Sequence, residues 1–265
     1  MDAANNADLH LYDVEGVSFA AGGRTILSPL SMTLQPGRFY GLVGPNGSGK
    51  STLLKLLARQ QDPAAGSIRL SGRPLETYGT RDFARCVAYM PQFTPPAEGM
   101  NVRELASLGR FPWHGALGRF GADDEDKVTR ALAQTSLTAL AGRMVDSLSG
   151  GERQRAWLAM MLAQDTRCLL LDEPTSALDL AHQVEILALV RELSRRQGLA
   201  VVAVLHDINM AASFCDELIA LCEGRIVARG TPELILEPAM LDSIYGLAMG
   251  ITRHPQTGAP ISYVL

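Results

Sequence analysis

Short apolar runs alternate with longer amphipathic stretches along the chain. The runs have the length of buried strands, and they cover residues 39–43, 87–90, 168–172, 200–205 and 217–221. Helical periodicity follows several of them, at residues 50–59, 152–164 and 181–196. Because strands that alternate with helices usually form a parallel sheet covered by those helices, the pattern predicts an α/β fold with a largely parallel sheet.

Two regions depart from this alternation. Residues 9–19 and 30–34 alternate apolar and polar side chains, as an antiparallel sheet with one solvated face does. Residues 101–108 and 124–135 have helical patterns, and acidic residues 123–126 suit the start of the second helix. We predict one domain: an α/β core (about 1–91 and 149–265) with an antiparallel edge and an inserted helical lobe (about 92–148). The tail after Gly224 predicts a strand and two short helices.

Composition limits the classes of function. With 47% hydrophobic residues in 265 positions, the chain can bury one large core. A net charge of -4 gives no positive field that would favour nucleic acid. No apolar run approaches the roughly 20 residues of a membrane-spanning helix, and the first ten residues lack the pattern of a secretory signal. Any membrane role is therefore expected to involve a partner. The four scattered cysteines predict reduced, mostly buried thiols.

Nine consecutive residues fit the phosphate-loop pattern G-x-x-x-x-G-K-[ST] between a predicted strand and a predicted helix. They are Gly44, Pro45, Asn46, Gly47, Ser48, Gly49, Lys50, Ser51 and Thr52. Glycines let the backbone N–H groups surround a phosphate, and the helix adds its positive N-terminal end. Lys50 would reach the β- and γ-phosphates of a nucleotide, and the Ser51 hydroxyl would hold Mg²⁺. The alternative is a glycine-rich turn that caps a helix, but a chance match is on the order of 1%.

The apolar run 168–172 is followed by a second acidic residue. At the carboxyl edge of a parallel sheet, Asp172 would meet a metal beside the phosphate loop, and Glu173 could polarise the attacking water as a general base. The alternative is a buried strand with polar residues where it surfaces; the phosphate loop upstream favours catalysis. Gln92 and His206 also follow predicted strands. His206 could bond the γ-phosphate and hold the water, although a lone histidine there is usually a satisfied polar group.

Residues 148–155 read Leu-Ser-Gly-Gly-Glu-Arg-Gln-Arg. Ser149 is a candidate N-cap, and Gly150 and Gly151 expose backbone N–H groups at a positive helix end. These features predict a second anion site. An ordinary capped helix is the alternative, and the residues by themselves leave both readings open.

The ordered set of these motifs resembles the ATP-binding cassette (ABC) family. The set comprises the phosphate loop, Gln92, residues 148–155, CLLLDEP at 168–174, Ser176-Ala177-Leu178-Asp179 and His206. The resemblance covers nearly the whole chain and implies a P-loop (RecA-like) core, ATP hydrolysis and Mg²⁺ as cofactor. It also implies that Gln92 joins Ser51 and Asp172 around Mg²⁺. Ser149, Gly150 and Gly151 would clamp the γ-phosphate bound by the partner protomer of a homodimer, and the Asp179 segment would pass signals between the two ATP sites.

Members of that family often carry an aromatic residue just beyond the first strand, where its ring stacks on adenine. Here the stretch reads Phe19-Ala20-Ala21-Gly22-Gly23, with alanine where the ring would be expected. Tyr12 lies upstream and is a candidate core residue. We therefore expect weaker discrimination between ATP and GTP.

The helical lobe, together with residues 163–183 and 204–212, resembles the ATPases of bacterial iron(III)-hydroxamate (ferrichrome-type) siderophore importers. Related ATPases for vitamin B12, haem and catecholate siderophores share parts of this pattern. The resemblance implies a peripheral position on the cytoplasmic face of the inner membrane, an integral membrane permease and, indirectly, a periplasmic binding protein. Residues 110–114 (RFPWH) predict a permease-docking segment led by Trp113. A loop packed on its own lobe is the alternative.

Two other functions compete with a transporter ATPase. A soluble ABC ATPase acting on nucleic acid would need coiled-coil arms or a second cassette, and the sequence shows neither pattern. A nucleotide-gated interaction module would bind ATP without useful hydrolysis, and it would not need Glu173 and His206. We expect an ATP-hydrolysing protein that does not bind nucleic acid.

Overall fold

The computed structural model describes residues 10–114, 118–176 and 178–265, so Leu9 and Ala177 lie outside the described residues. The strands are β1 (Tyr12–Ala21), β2 (Arg24–Leu34), β3 (Phe39–Val43), β4 (Ala65–Leu70), β5 (Arg73–Pro74), β6 (Val87–Met90), β7 (Cys168–Asp172), β8 (Ala200–Val204), β9 (Glu217–Cys222), β10 (Arg225–Gly230), β11 (Met249–Arg253) and β12 (Pro260–Val264). The α-helices are α1 (Lys50–Leu57), α2 (Thr80–Ala84), α3 (Val102–Leu108), α4 (Phe111–His114), α5 (Ala122–Gln134), α6 (Gly150–Ala163), α7 (Leu180–Gln197), α8 (Ile208–Phe214), α9 (Pro232–Ile235) and α10 (Pro238–Tyr245). Short 3-10 helices lie at Leu75–Thr77, Thr138–Leu140 and Val145–Ser147.

The central six-stranded sheet has the order β10-β9-β3-β8-β7-β6. Strands β9, β3, β8, β7 and β6 run parallel, and β10 pairs antiparallel with β9. Strands β3, β7 and β8 are buried along their full length, as strands covered on both faces are. The predicted α/β core is confirmed. All five predicted strands are present, and two of them differ by one residue at their C-terminal ends.

A second, antiparallel sheet has the order β2-β1-β4-β5. It confirms the predicted antiparallel edge but is larger than the sequence pattern indicated. Strand β2 begins at Arg24 because it continues the hairpin with β1, where register shifts interrupt the two-residue period of a regular strand. Strand β4 was missed because only Ile68 and Leu70 are buried in it.

Helices cover both faces of the six-stranded sheet. Helix α1 packs between the two sheets through Leu53, Leu54, Leu56 and Leu57. On the opposite face, α6, α7, α8 and α10 bury side chains against β3, β7, β8 and β9. Strand β10 with helices α9 and α10 confirms the strand and two short helices predicted for the tail, and the hairpin β11-β12 was not predicted.

The helical lobe has its own apolar cluster. Helices α3 and α5 contribute side chains such as Val102, Leu105, Val128 and Leu132. Asn101 caps α3 in a capping box with Glu104, so this helix begins one residue later than predicted. Helix α6 belongs to both clusters, because Ala156 and Ala159 face the lobe whereas Leu158 and Met161 face the sheet. The boundary near residue 148 stays a prediction.

A buried arginine ties the helical lobe to the α/β core. The Arg110 side chain is only 2% exposed. Its guanidinium donates to Asp124 Oδ1 (2.8 Å), to Asp123 Oδ2 (3.3 Å) and to the carbonyl of Ala163 at the end of α6 (2.9 Å). The Trp113 ring lies 5.1 Å from the Arg110 guanidinium. Arg110 therefore joins the start of α5 to the helix shared by the two clusters.

Acid is expected to weaken this connection. Burial raises the pKa of Asp124, but the hydrogen bonds from the Gly121 amide and from Arg110 outweigh burial and leave the pKa lower than normal. A carboxylate with a lowered folded-state pKa contributes stability above its unfolded pKa of about 4, and this contribution is lost as pH falls through the folded value. The gap in melting temperature between the wild type and Asp124→Asn should narrow from pH 5 to pH 2.5. A difference in melting temperature that does not change with pH would contradict the lowered pKa of Asp124.

The four cysteines are free thiols. Cys168 and Cys215 are buried, and burial raises the pKa of both thiols; Cys86 and Cys222 are partly buried. These four free, buried or partly buried thiols agree with the prediction from the sequence.

Candidate nucleotide site

The phosphate loop connects β3 to α1, and two of its glycines are required by geometry. Gly44 has φ +130°, and a Cβ there would lie 2.0 Å from the carbonyl oxygen of Leu221. Gly49 has φ +99°, and its Cβ would lie 2.5 Å from Leu27 Cδ2. Gly49 is also the N-cap of α1 and offers no side chain to the helix, so the first N–H groups of α1 face the loop. A side chain at Gly44 would clash with Leu221 and one at Gly49 with Leu27, so either substitution would displace the loop.

The polar atoms of the loop fit an anionic ligand. Lys50 is 5% exposed, and its Nζ donates to the carbonyls of Gly44 (2.9 Å) and Pro45 (2.8 Å). An ammonium group has three N–H donors, so one remains for a phosphate. Burial lowers the pKa of Lys50, and the nearby carboxylates of Glu173 and Asp172 oppose that shift. The Ser48 hydroxyl is buried without a hydrogen-bond partner among the described residues.

Ser51 and Asp172 form a pair of oxygen ligands suited to Mg²⁺. The Ser51 hydroxyl donates to Asp172 Oδ1 at 2.7 Å. Burial raises the pKa of Asp172, and the Ser51 hydrogen bond lowers it. Within the described ranges, no group of three or more His, Cys, Asp or Glu side chains could hold a metal. The Ser51–Asp172 pair by itself suits Mg²⁺, which usually takes one or two protein oxygens and completes its shell with phosphate oxygens and water.

The ends of three neighbouring strands converge on one carboxylate. Glu173 follows β7, and its Oε1 lies 2.8 Å from His206 Nε2, after β8. Gln92, after β6, donates from Nε2 to Glu173 Oε2 at 2.6 Å. Glu173 has φ +52°, a left-handed conformation that costs free energy in a residue other than glycine and that is typical of functional sites. The structure thus brings together three residues that are 33 or more positions apart in the chain.

Some of these groups line one cavity of about 340 Å³ at the mouth of the phosphate loop. Its lining residues are Ile26, Asn46, Gly47, Gly49, Lys50, Ser51, Thr52, Glu173 and His206. The cavity combines backbone N–H groups, one ammonium group and one carboxylate. It can bind a polyphosphate and present its terminal phosphate to a general base. The Gln92 amide bonds Glu173 rather than Ser51 or Asp172, so its role as a Mg²⁺ ligand stays a prediction.

The residues around Ser149 lie elsewhere and line neither this cavity nor the adjoining one at Glu173. Ser149 caps α6 in a capping box with Glu152. A Cβ on Gly151 would lie 2.4 Å from His182 Cδ2, so this glycine is covered by the start of α7. Asp179 caps α7 by accepting from the His182 amide at 3.0 Å. In one copy of the chain, these groups are structural partners of one another.

Sequence reasoning missed three residues near the site. Ile26 lines the main cavity, and His182 covers Gly151. Gln183 donates from Nε2 to the carbonyls of Thr175 (3.3 Å) and Leu178 (2.9 Å), which holds the segment after Glu173. None of the three carries a signal in the sequence, because each is placed by packing between elements distant in the chain.

The fold and the phosphate loop define the class of the protein as a P-loop α/β nucleotide-binding protein. The family model described as ABC transporter matches residues 27–176. The chain belongs to the ABC transporter family, and it binds and hydrolyses ATP. Among the described residues, no helix combines the length and the apolar character needed to cross a bilayer.

Similar proteins match almost the full length. The ferric enterobactin transport ATP-binding protein of Escherichia coli (strain K12) is 42% identical over 93% of this chain and 91% of that protein. The iron(3+)-hydroxamate import ATP-binding protein of Bacillus subtilis (strain 168) is 40% identical over 93% and 92%. The hemin import ATP-binding protein of Pseudomonas entomophila (strain L48) is 41% identical over 95% and 98%. Among solved structures, a chain of an ABC transporter assigned to the metal-chelate type, in an inward-facing conformation, has a TM-score of 0.83, 28% identity and 97% coverage of both chains.

Proposed function

We propose that this chain is the ATP-hydrolysing subunit of a bacterial importer of iron(III) chelates. The observation that carries the catalytic part is the Glu173 carboxylate, held at the mouth of the phosphate loop by Gln92 and His206. The transport part is supported by the relatives, whose names refer to transport of ferric enterobactin and to import of iron(3+)-hydroxamate or hemin.

Glu173 is the general base in this proposal. Its carboxylate accepts the proton of the water that attacks the γ-phosphate. His206, 2.8 Å from that carboxylate, holds the γ-phosphate and orients the water. Lys50 holds the β- and γ-phosphates with its remaining N–H donor, and the backbone of residues 44–52 neutralises the rest of the polyphosphate.

Ser51 and Asp172 would hold Mg²⁺, with Gln92 as a third ligand once its amide leaves Glu173. Mg²⁺, when bound, neutralises charge that develops on the β- and γ-phosphate oxygens. The Ser51 hydroxyl bonds Asp172 at 2.7 Å, so the two oxygens already lie side by side.

A second copy of the chain would complete the site. Ser149, Gly150 and Gly151 lie at the start of α6, where the helix dipole favours an anion, but they are outside the cavity of their own chain. A head-to-tail homodimer would place this segment against the γ-phosphate bound by the partner. Asp179, at the neighbouring start of α7, would transmit conformational changes between the two ATP sites of the dimer.

The helical lobe would dock on an integral membrane permease at the cytoplasmic face of the inner membrane, with a periplasmic binding protein delivering the chelate. Support comes from large apolar side chains that this lobe exposes: Phe93, Leu108, Phe111, Trp113, Phe120 and Met144. Trp113 remains a candidate contact with the permease, although its side chain also makes contacts within the chain. Its Nε1 donates to the Gln164 carbonyl (2.8 Å), and its ring lies 5.1 Å from the guanidinium group of Arg85 and 5.1 Å from that of Arg110.

Iron(III)-hydroxamate is our proposed cargo within this class. Cells that lack the chain should lose uptake of labelled ferric hydroxamate, and uptake of ferric catecholate, haem and vitamin B12 should be unchanged. The wild-type chain should restore uptake, and Glu173→Gln should not, because transport requires hydrolysis.

The same assay separates the two parts of the proposal. Loss of a different substrate would keep the ATPase subunit and overturn hydroxamate as cargo. Normal uptake of all four substrates would overturn the transport role.

A further inference from the structure

We infer that Arg24 contacts the purine base of the bound nucleotide through the flat face of its guanidinium group. The inference rests on the proposed function, because it assigns a base-binding residue to the same ATP site.

The order of the strands fixes the direction of the nucleotide. The phosphate loop follows β3, whereas Glu173 and His206 follow β7 and β8, on one side of β3. Strand β9 lies on the other side of β3 and ends in a turn at Gly224. The γ-phosphate must lie beside Glu173, so the ribose and the base leave the phosphate loop toward the flank of β9.

Strand β2 crosses that flank. Ser28 donates from its backbone amide to the Gly224 carbonyl at 2.9 Å. A Cβ on Gly224 would lie 2.3 Å from the Ile26 carbonyl oxygen, so the two backbones touch. Ile26 also lines the nucleotide cavity. Ile26 therefore marks the end of the cavity from which the base emerges.

Arg24 lies two residues beyond Ile26, at the first position of β2. Leu27 is fully buried in the core, and Ile26 beside it faces the cavity. A register shift between Leu27 and Thr25 interrupts the alternation of side chains at Ile26. Arg24 lies roughly 6.6 Å further along the strand, and its long side chain can reach back to this end of the cavity. Arg24 is exposed and has no hydrogen bond or ion pair with any residue that the structure describes. Its guanidinium is free to cover a ligand.

No aromatic ring competes for this position in the hairpin. The partner of Arg24 across the strands is Ala21, and the turn between them is Gly22-Gly23. The Tyr12 ring is fully buried, with its hydroxyl bonded to the Leu57 carbonyl (2.9 Å), and Phe19 packs against the core. A guanidinium plane stacks on purine bases, as arginine does in nucleic-acid recognition. Stacking on a purine face does not distinguish adenine from guanine, which agrees with the expected weak discrimination between ATP and GTP.

Binding of ADP, GDP and inorganic pyrophosphate, measured by calorimetry with Mg²⁺, tests the inference. Arg24→Ala should weaken the binding of ADP and of GDP about three- to tenfold. Pyrophosphate has no base, so its affinity for this variant should equal its affinity for the wild type. Arg24→Lys keeps the positive charge but lacks the planar guanidinium group, so its affinities for ADP and GDP should match those of Arg24→Ala. Arg24→Tyr supplies a flat ring and should restore ADP binding. The KM for ATP should rise by a similar factor with kcat unchanged.

The matched control is Arg69→Ala. Arg69 is exposed in the same sheet but pairs with Asp13, at the end of β1 far from Ala21; this variant should bind ADP normally. Unchanged ADP binding by Arg24→Ala would overturn the inference. Equal losses for ADP and pyrophosphate would also overturn it, because they would place the guanidinium on the phosphates. A wild-type chain that failed to bind ADP would instead contradict the proposed ATPase subunit.

Discussion

Glu173→Gln should reduce ATP turnover by about 10²- to 10⁴-fold, the usual contribution of a general base. Glutamine keeps the shape of the side chain and can still contact Gln92 and His206, but it has no carboxylate to accept the proton of the attacking water. ATP binding should persist, because Lys50 and the backbone of the phosphate loop are unchanged. Phosphate release and ATP affinity, measured on the same preparation, check both parts.

Glu237→Gln is the matched control for this substitution. Glu237 is exposed at the start of α10, and its side chain makes no hydrogen bond with the described residues. This variant should hydrolyse ATP at the wild-type rate. Normal turnover by Glu173→Gln would refute its assignment as the base, and loss of ATP binding would indicate that Glu173 instead maintains the cavity.

Arg110→Met should destabilise the protein by about 3–5 kcal/mol, the usual cost of breaking a buried ion pair. Methionine fills much of the volume but leaves the Asp124 carboxylate, 8% exposed, without its cation. It also removes the hydrogen bond to the Ala163 carbonyl. Thermal and urea unfolding measure the loss. A protein of this size should lose about 2–4 °C of melting temperature for each kcal/mol.

A double variant separates charge from packing at this position, and a surface arginine serves as the control. Arg110→Met combined with Asp124→Asn should recover part of the stability, since no buried carboxylate is then unpaired and asparagine can still accept from the Gly121 amide. The exposed Arg119 should tolerate alanine with a change below about 0.5 kcal/mol. If Arg110→Met unfolds like the wild type, the ion pair contributes nothing to the connection between the lobe and the core.

The sequence by itself determined the class of fold and the chemistry of the site. The phosphate-loop pattern depends on consecutive residues, so Lys50 and Ser51 could be proposed as ligands of phosphate and Mg²⁺ from spacing alone. The apolar runs 39–43, 87–90 and 168–172 match strands residue for residue, because strands buried on both faces need unbroken apolar side chains. Glu173 could be proposed as a base because it directly follows such a strand.

The tertiary structure decided which distant residues meet. Sheet order places Gln92 and His206 on opposite oxygens of Glu173. Strand β2 was only partly predicted, yet its path past Gly224 places Ile26 in the cavity and Arg24 beyond it. Arg110 looked like part of an exposed docking segment in the sequence, and it is one of the largest fully buried side chains. The physical reason is common to all three: local patterns record the period and burial of one element, whereas these contacts depend on how separate elements pack.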